Sequence, residues 1–314
     1  GSVVHGDMNG VQITGLANLA GGTMRGVQLA GISNISGNNT VGLSAAGLVN
    51  ITGDRTQGVI ISGLTSIGGD NTSGLMISGF MNVTGNMASG LHFSGAANIT
   101  GQSFGGLMAS GLLNVVGEHM NGLQMAGIAN ITASKLNGVQ IALCNYATQA
   151  RGLQIGLVNY YREDMKGFQL GLVNANPDTK VQMMVYGGNA TPANIGVRFK
   201  NQLFYTILGV GSMYQGLNDK FSASASYRAG LSFPLYKGLS ISGDLGYQHI
   251  EAFDNKDEVI PKRLYALQAR ANLEYQFTKK FGIFATGGYG LTRFYNKSSN
   301  YDKGAIIEAG IVLF

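Results

Sequence analysis

The sequence predicts an all-β chain in two parts: a glycine-rich β-solenoid over residues 1–180, then an eight-stranded antiparallel transmembrane β-barrel over residues 181–314. Three observations predict it. A glycine returns every 16 residues through the first half. Long apolar/polar alternation fills the second half. The connections between the alternating runs are long and short by turns.

The leading glycine of the repeat falls at Gly10, Gly26, Gly42, Gly58, Gly74, Gly90, Gly106, Gly122 and Gly138. A second glycine follows five places on, and an asparagine eight places on: Asn18, Asn34, Asn50, Asn82, Asn98, Asn114 and Asn130, with Ser66 standing in once. Three shorter units, GVQIALCNY, GLQIGLVNY and GFQLGLVNA, start at Gly138, Gly152 and Gly167 and bring the array to about eleven units of 14–16 residues. A fixed period of this length is the mark of a stacked repeat architecture.

Within a unit, short alternating stretches (Val27 and Leu29, then Ile32 and Ile35) are cut by glycine and followed by turn sequences such as GNNT and GDRT. Alternation with period 2, punctuated by Gly, Asn and Asp, reads as short strands. A helix is excluded by the glycines, each of which costs about 1 kcal/mol relative to alanine in a helix interior. One unit cannot bury an apolar face alone, whereas stacked copies build a continuous core. Residues 8 to about 179 are therefore expected to wind one unit per coil, with glycines at the bends and the asparagine at a coil corner, laddered with its copies.

From residue 181 the texture changes. Residues 1–135 hold three aromatics (Phe80, Phe93, Phe104), and residues 181–314 hold 21. In FSASASYRAGLSF, Phe221, Ala223, Ala225, Tyr227, Ala229, Leu231 and Phe233 oppose Ser222, Ser224, Ser226, Arg228 and Ser232. YALQARANLEYQF sets Tyr265, Leu267, Leu273 and Tyr275 against Gln268, Arg270, Asn272 and Glu274 in the same way. Strands apolar outside and polar inside, with aromatics near their ends, suit a membrane barrel. Eight are expected, at about 181–187, 193–200, 203–214, 221–233, 239–251, 264–277, 281–295 and 304–314. GGNATPA, YQGLNDK, AFDNKDEVIPK and NKSSNYDK are the longer connections, and KNQ, PLYKG and TKK the short ones. Outer-membrane barrels carry long loops outside and short turns in the periplasm, so both barrel ends are expected on the periplasmic side. Arg228, Asp244, Arg270 and Glu274 are expected to form a polar network inside the barrel, which its own side chains nearly fill at this size.

The second half resembles the small eight-stranded outer-membrane barrels of the OmpA/OmpX type. The closing GIVLF is similar to the terminal pattern read by the barrel-assembly machinery, at Gly310, Val312 and Phe314, with Ala309 where a polar residue is usual. That resemblance implies the assembly machinery as a partner during biogenesis. Glu308 shares parity with Phe314 and on this pattern would face lipid. The repeats resemble the GLQIGLVN-type repeat proteins of Bacteroidota and spirochaetes, a likeness that implies no activity.

Composition narrows the function classes. Only 12% of residues are charged and the net charge is +5, with no Lys/Arg block of the kind that marks nucleic-acid binding. No run approaches the roughly 20 apolar residues of a membrane-spanning helix. His5, His92, His119 and His249 are scattered outside metal-ligand spacing, and His92 takes the Gln position of its repeat. Cys144, the single cysteine, reads as a small apolar filler. GGYGLT near 287 lies inside an expected strand and so fails as a phosphate loop. Sequons at Asn34, Asn50, Asn82, Asn98 and Asn130 follow from the repeat itself. No catalytic constellation, cofactor site or metal site is expected.

Residues 1–135 contain seven charged side chains, few for a free surface, so one face of the solenoid is expected to be covered by a partner, another copy or lipid. Together these features point to an outer-membrane-anchored scaffold or interaction protein of a Gram-negative envelope, with the repeats in the periplasm. Its expected partners are outer-membrane lipid and other envelope proteins or further copies. The competing reading is a transport pore in which the repeats are additional barrel strands.

Overall fold

The computed structural model describes residues 1–214, 217, 221–253, 263–296 and 299–314. The chain divides into two compact units, Gly1–Gly171 and Leu172–Phe314. Both are β throughout.

In the first unit each coil contributes a longer and a shorter strand. The first complete coil is formed by β2 (Met8–Thr14) and β3 (Ala17–Ala20), and the next by β4 (Met24–Ala30) and β5 (Ser33–Ser36). Strands pair in parallel with the next coil, residue for residue along the repeat: Gly10 with Gly26, and Asn18 with Asn34. Where the repeat shortens, short and long strands fuse into β17 (Ala129–Ile141), β18 (Cys144–Ile155) and β19 (Val158–Leu170), with a register shift at Thr132/Lys135. The leading glycines all have positive φ, +123° at Gly26 and +133° at Gly58, and they bend the longer strand at its third residue. A Cβ on Gly26 would also collide with the Gly10 carbonyl below it, so no other residue fits the stack there. With bends also at Gly15 and Gly21, each coil has three sides.

The solenoid is turned inside out relative to the expected apolar core. Val11, Ile13 and Leu16 are 68%, 66% and 60% exposed, and their repeats Ile32, Leu48, Leu64 and Phe80 are exposed as well. Three buried rows are mainly polar: Asn18 and its copies, a row running from Gln12 and Gln28 to Gln169, and a Ser/Thr row including Ser36, Thr52, Thr84 and Thr100. A fourth, from Met8 and Met24 through Thr40 and Thr56 to Phe104, Met120 and Leu136, is mixed. Apolar residues fill the interior only in places, chiefly around Phe104, Met108, Met120 and Leu136. The alternation does mark strands, but its inward set is the polar one. Amides stacked one repeat apart satisfy one another inside the coil, which lets the polar set face inward.

The second unit is a closed barrel of eight strands: β21 (Lys180–Gly188), β22 (Ala193–Asn201), β23 (Phe204–Ser212), β24 (Ser222–Tyr236), β25 (Leu239–Ala252), β26 (Arg263–Thr278), β27 (Phe281–Phe294) and β28 (Asn300–Leu313). Every neighbouring pair is antiparallel, and β21 closes on β28, with Tyr186 opposite Gly310. Residues 215–216, 218–220, 254–262 and 297–298, which belong to the longer connections, lie outside the described residues. The barrel closes without any repeat strand, and the repeats pair in parallel with one another, which overturns the wide-barrel reading. Antiparallel neighbours are what a spanning barrel requires.

Candidate functional site

The lumen of the barrel is filled. On β24 and β26 the inward rows are Ser222, Ser224, Arg228 and Ser232, and Gln268, Arg270, Asn272 and Glu274. Outward lie Leu231, Phe233, Leu267, Leu273, Tyr275 and Phe277, joined by Val181, Ile195, Val210 and Leu245 from other strands. The exterior is thus an apolar band. Aromatic pairs flank it: Phe277–Phe281 (6.0 Å) by the short turns, and Phe221–Phe253 (5.9 Å) with Tyr265–Tyr295 (5.1 Å) by the long loops.

Among the described residues, three buried arginines pair with three buried carboxylates across the interior. Arg228 donates from Nε and Nη2 to Asp244, both at 2.8 Å, and Asp244 also accepts from the Tyr205 hydroxyl and Asn272 Nδ2, each at 2.8 Å. Arg270 donates to both oxygens of Glu308 at 3.1 Å, and Glu308 approaches Arg228 Nη1 at 3.6 Å. Arg198 donates to Glu274 at 2.6 and 3.0 Å, and its Nε to Gln182 Oε1 at 2.6 Å. The formal charges of these pairs cancel. Beside them Met184, Tyr186, Tyr205, Ile207, Phe284 and Val312 pack into one cluster. A cavity of about 330 Å³ by the short turns, bordered by Lys180, Lys200 and Glu274, and one of about 460 Å³ by the long loops, bordered by Tyr214, Gln268 and Asp302, remain on either side of this layer.

Of the four network residues expected from sequence, the structure joins Arg228 to Asp244, gives Arg270 to Glu308, and gives Glu274 to Arg198. Sequence reasoning misses Arg198 and Glu308 as the partners. Arg198 is visible in the sequence as the charged residue flanked by Val197 and Phe199. Parity with Phe314 assigns Glu308 to lipid, and the structure corrects that assignment. Glu308 is buried in the lumen, and β28 pairs with β27 without a shift from Asp302 to Leu313. Val312 and Phe314 share its inward parity and pack on the lumen cluster, while Ile307 and Leu313 take the outer parity. Gly310 sits where any Cβ would meet the backbone and side chain at Val185 and Tyr186.

In the solenoid the recurring asparagines lie on the inner face of the shorter strand rather than at a corner. Asn18 Nδ2 donates to Asn34 Oδ1 at 2.9 Å and to the Leu29 carbonyl at 2.8 Å, and Asn34 repeats the pattern onto Asn50. The run Asn82, Asn98, Asn114, Asn130 is linked likewise at 2.8–3.0 Å and continues through Asn145 to Asn159. At Ser66 serines bridge the break: Asn50 donates to Ser62, Ser62 and Ser66 share a hydrogen bond, and Ser78 contacts both Ser66 and Asn82. His92 is 1% exposed in the glutamine row, edge-on to Phe104 at 4.9 Å, and burial lowers its pKa to about 4. Cys144 is exposed rather than a filler of the core.

The polar side of the solenoid carries a shallow groove of about 420 Å³. It arises because the residue before the leading glycine shrinks from Gln57 through Ser73 and Ser89 to Gly105, then returns to Asn121.

No family model matches this chain, and no curated protein matches it. Among solved structures, the N-terminal β-barrel domain of Pseudomonas aeruginosa OprF is similar over 42% of this chain and 93% of that one, at 16% identity and a TM-score of 0.31. The barrel assignment rests on the closed strand pairing itself.

Proposed function

We propose that this protein is an outer-membrane-anchored scaffold or interaction protein, in which the barrel fixes the chain in the bilayer and the solenoid offers a rigid, repetitive surface. The observation that carries the reading is the filled lumen. Three buried arginines paired with three carboxylates, together with an aromatic cluster, occupy the cross-section through which a solute would pass. An apolar exterior with aromatics at both ends is the surface an outer-membrane barrel presents to lipid. Short turns follow β22, β24 and β26, so the chain enters β21 on the short-turn side, which supports a periplasmic position for the repeats. Gly310, Val312 and Phe314 then serve recognition by the assembly machinery before they pack. The groove beside Ser89 and Gly105 is the part of the solenoid suited to side chains of another envelope protein.

The test is reconstitution of the full chain in planar bilayers, together with sizing of the protein extracted from native outer membranes. A silent barrel that migrates in an assembly larger than one chain is the expected result. Open-pore currents, or recovery as a free monomer, overturn the proposal.

A further inference from the structure

We infer that the apolar edge of the solenoid lies in lipid, sunk among acyl chains along the membrane surface. The edge is the corner between the longer and shorter strands, where Leu16, Leu48, Leu64, Phe80, Leu112 and Ile128 project, each more than two-fifths exposed. Coils repeat at about 4.8 Å, the spacing of paired strands, so these side chains form one ridge, dipping only at Ala96 between Phe80 and Leu112. Both sides that meet at the ridge are apolar as well, through the rows begun by Val11 and Ile13 and by Leu19.

Charge is segregated from it. Every Asp, Glu, Lys and Arg of residues 1–171, from Asp7 and Arg25 to Asp164 and Lys166, falls between the end of a shorter strand and the next leading glycine, on the third side. The backbone at the ridge is already paired along it. The amides of Leu48, Leu64 and Phe80 donate to the carbonyls of Ile32, Leu48 and Leu64 at 2.8–3.0 Å. Such pairing is what lipid demands, because backbone groups there find no water.

Shape selects the occupant. Two rigid copies meeting face to face cover one flat side each and leave the other flank of the ridge in water. Acyl chains close around a convex edge and cover both flanks. An amphipathic helix with its charge on the opposite face binds by sinking about 5–10 Å into the boundary between headgroups and acyl chains, and the ridge presents the same division of apolar and charged faces.

Cys144, the only cysteine, follows ridge residue Leu143 and is exposed, so it accepts an environment-sensitive dye without further mutation. The full chain carrying that dye is refolded into phosphatidylcholine/phosphatidylglycerol vesicles at under one chain per vesicle, and quenching by doxyl-labelled lipid is recorded. The reference is Cys144→Ser combined with Asn121→Cys on the polar side. A blue-shifted Cys144 dye, quenched at least about twofold more than the reference, is expected for an element seated in the interface.

The inference rests on the membrane anchoring proposed above, and vesicle flotation reports that separately. If the chain does not float, both readings fall. A chain that floats with water-like emission at both positions overturns the ridge contact alone. Emission at Cys144 that turns apolar only as protein density rises, unquenched by doxyl lipid, replaces lipid with a second copy.

Discussion

Arg228 on β24 reaches diagonally to Asp244 on β25, two residues from its direct cross-strand partner Gly246, through two hydrogen bonds of 2.8 Å, and neither side chain reaches solvent. Removing one partner of such a pair leaves a buried charge uncompensated, at a cost of about 3–5 kcal/mol. Asp244→Ala is therefore expected to leave Arg228 with only the more distant Glu308 carboxylate, at 3.6 Å, and to lower the unfolding midpoint of the refolded barrel. Arg228→Met combined with Asp244→Leu removes both charges and is expected to recover most of that loss. Urea titration of the barrel in vesicles, followed by gel mobility before and after heating, measures both. A double variant no better than the single one removes the pair from the account.

Asn98 links two neighbours: it accepts from Asn82 and donates to Asn114 and to the Ala109 carbonyl. Asn98→Leu is nearly equal in size but leaves donor and acceptor unsatisfied in the interior, at a cost of about 1–3 kcal/mol for each buried group. The expected outcome is a lowered thermal midpoint for the solenoid with the barrel transition unchanged. Asn121→Ala, on the exposed side, is the control and leaves both transitions in place.

Period and parity are legible in the sequence; the direction of a face is not. The Gly10–Gly26 spacing predicts one coil per unit, and the alternation in Phe221–Phe233 and Tyr265–Phe277 places the barrel strands within a few residues. Alternation says that Val27 and Gln28 point opposite ways, yet not which of them points inward. Hydrophobicity suggests Val27, and amide stacking across the repeat decides for Gln28. The same limit acts at Glu308, where a terminal pattern sets the parity that its pairing with Arg270 reverses. Partners such as Arg198 for Glu274 lie 76 residues apart, and only barrel closure brings them together.

His92 gives the solenoid a pH dependence of known sign. Its pKa is near 6.5 in an unfolded chain and about 4 in the folded one, because burial disfavours the charged ring. Between these values the unfolded state binds more protons, so stability is complete above pH 6.5 and declines as pH falls to about 4. The loss approaches about 3 kcal/mol, because each tenfold difference in proton affinity between the two states is worth roughly 1.4 kcal/mol. His92→Met, matching Met76 and Met108 on either side in the row, is expected to abolish the slope. Denaturant midpoints at pH 4.5 and 7.5 for both proteins test this, and an unchanged slope in the variant assigns it elsewhere.

Gly58 tests whether the leading glycines are fixed by geometry. Its φ of +133° lies where L side chains are strained, and an added Cβ would meet the carbonyl of Gly42 one coil below. The two objections are independent, and the second is backbone against backbone, so no rotamer relieves it. Gly58→Ala therefore has to push coils apart or flatten the bend, either of which breaks the register through Gly74 above. Where the backbone suits alanine the exchange stabilises by about 0.4–1 kcal/mol, whereas here a destabilisation larger than that is expected. Gly15→Ala is the comparison: it stands at a corner with no atom near its Cβ and no positive φ, and its thermal midpoint is expected to stay near the parent value. Equal losses in the two variants show that glycine is required there for flexibility rather than for close approach between coils.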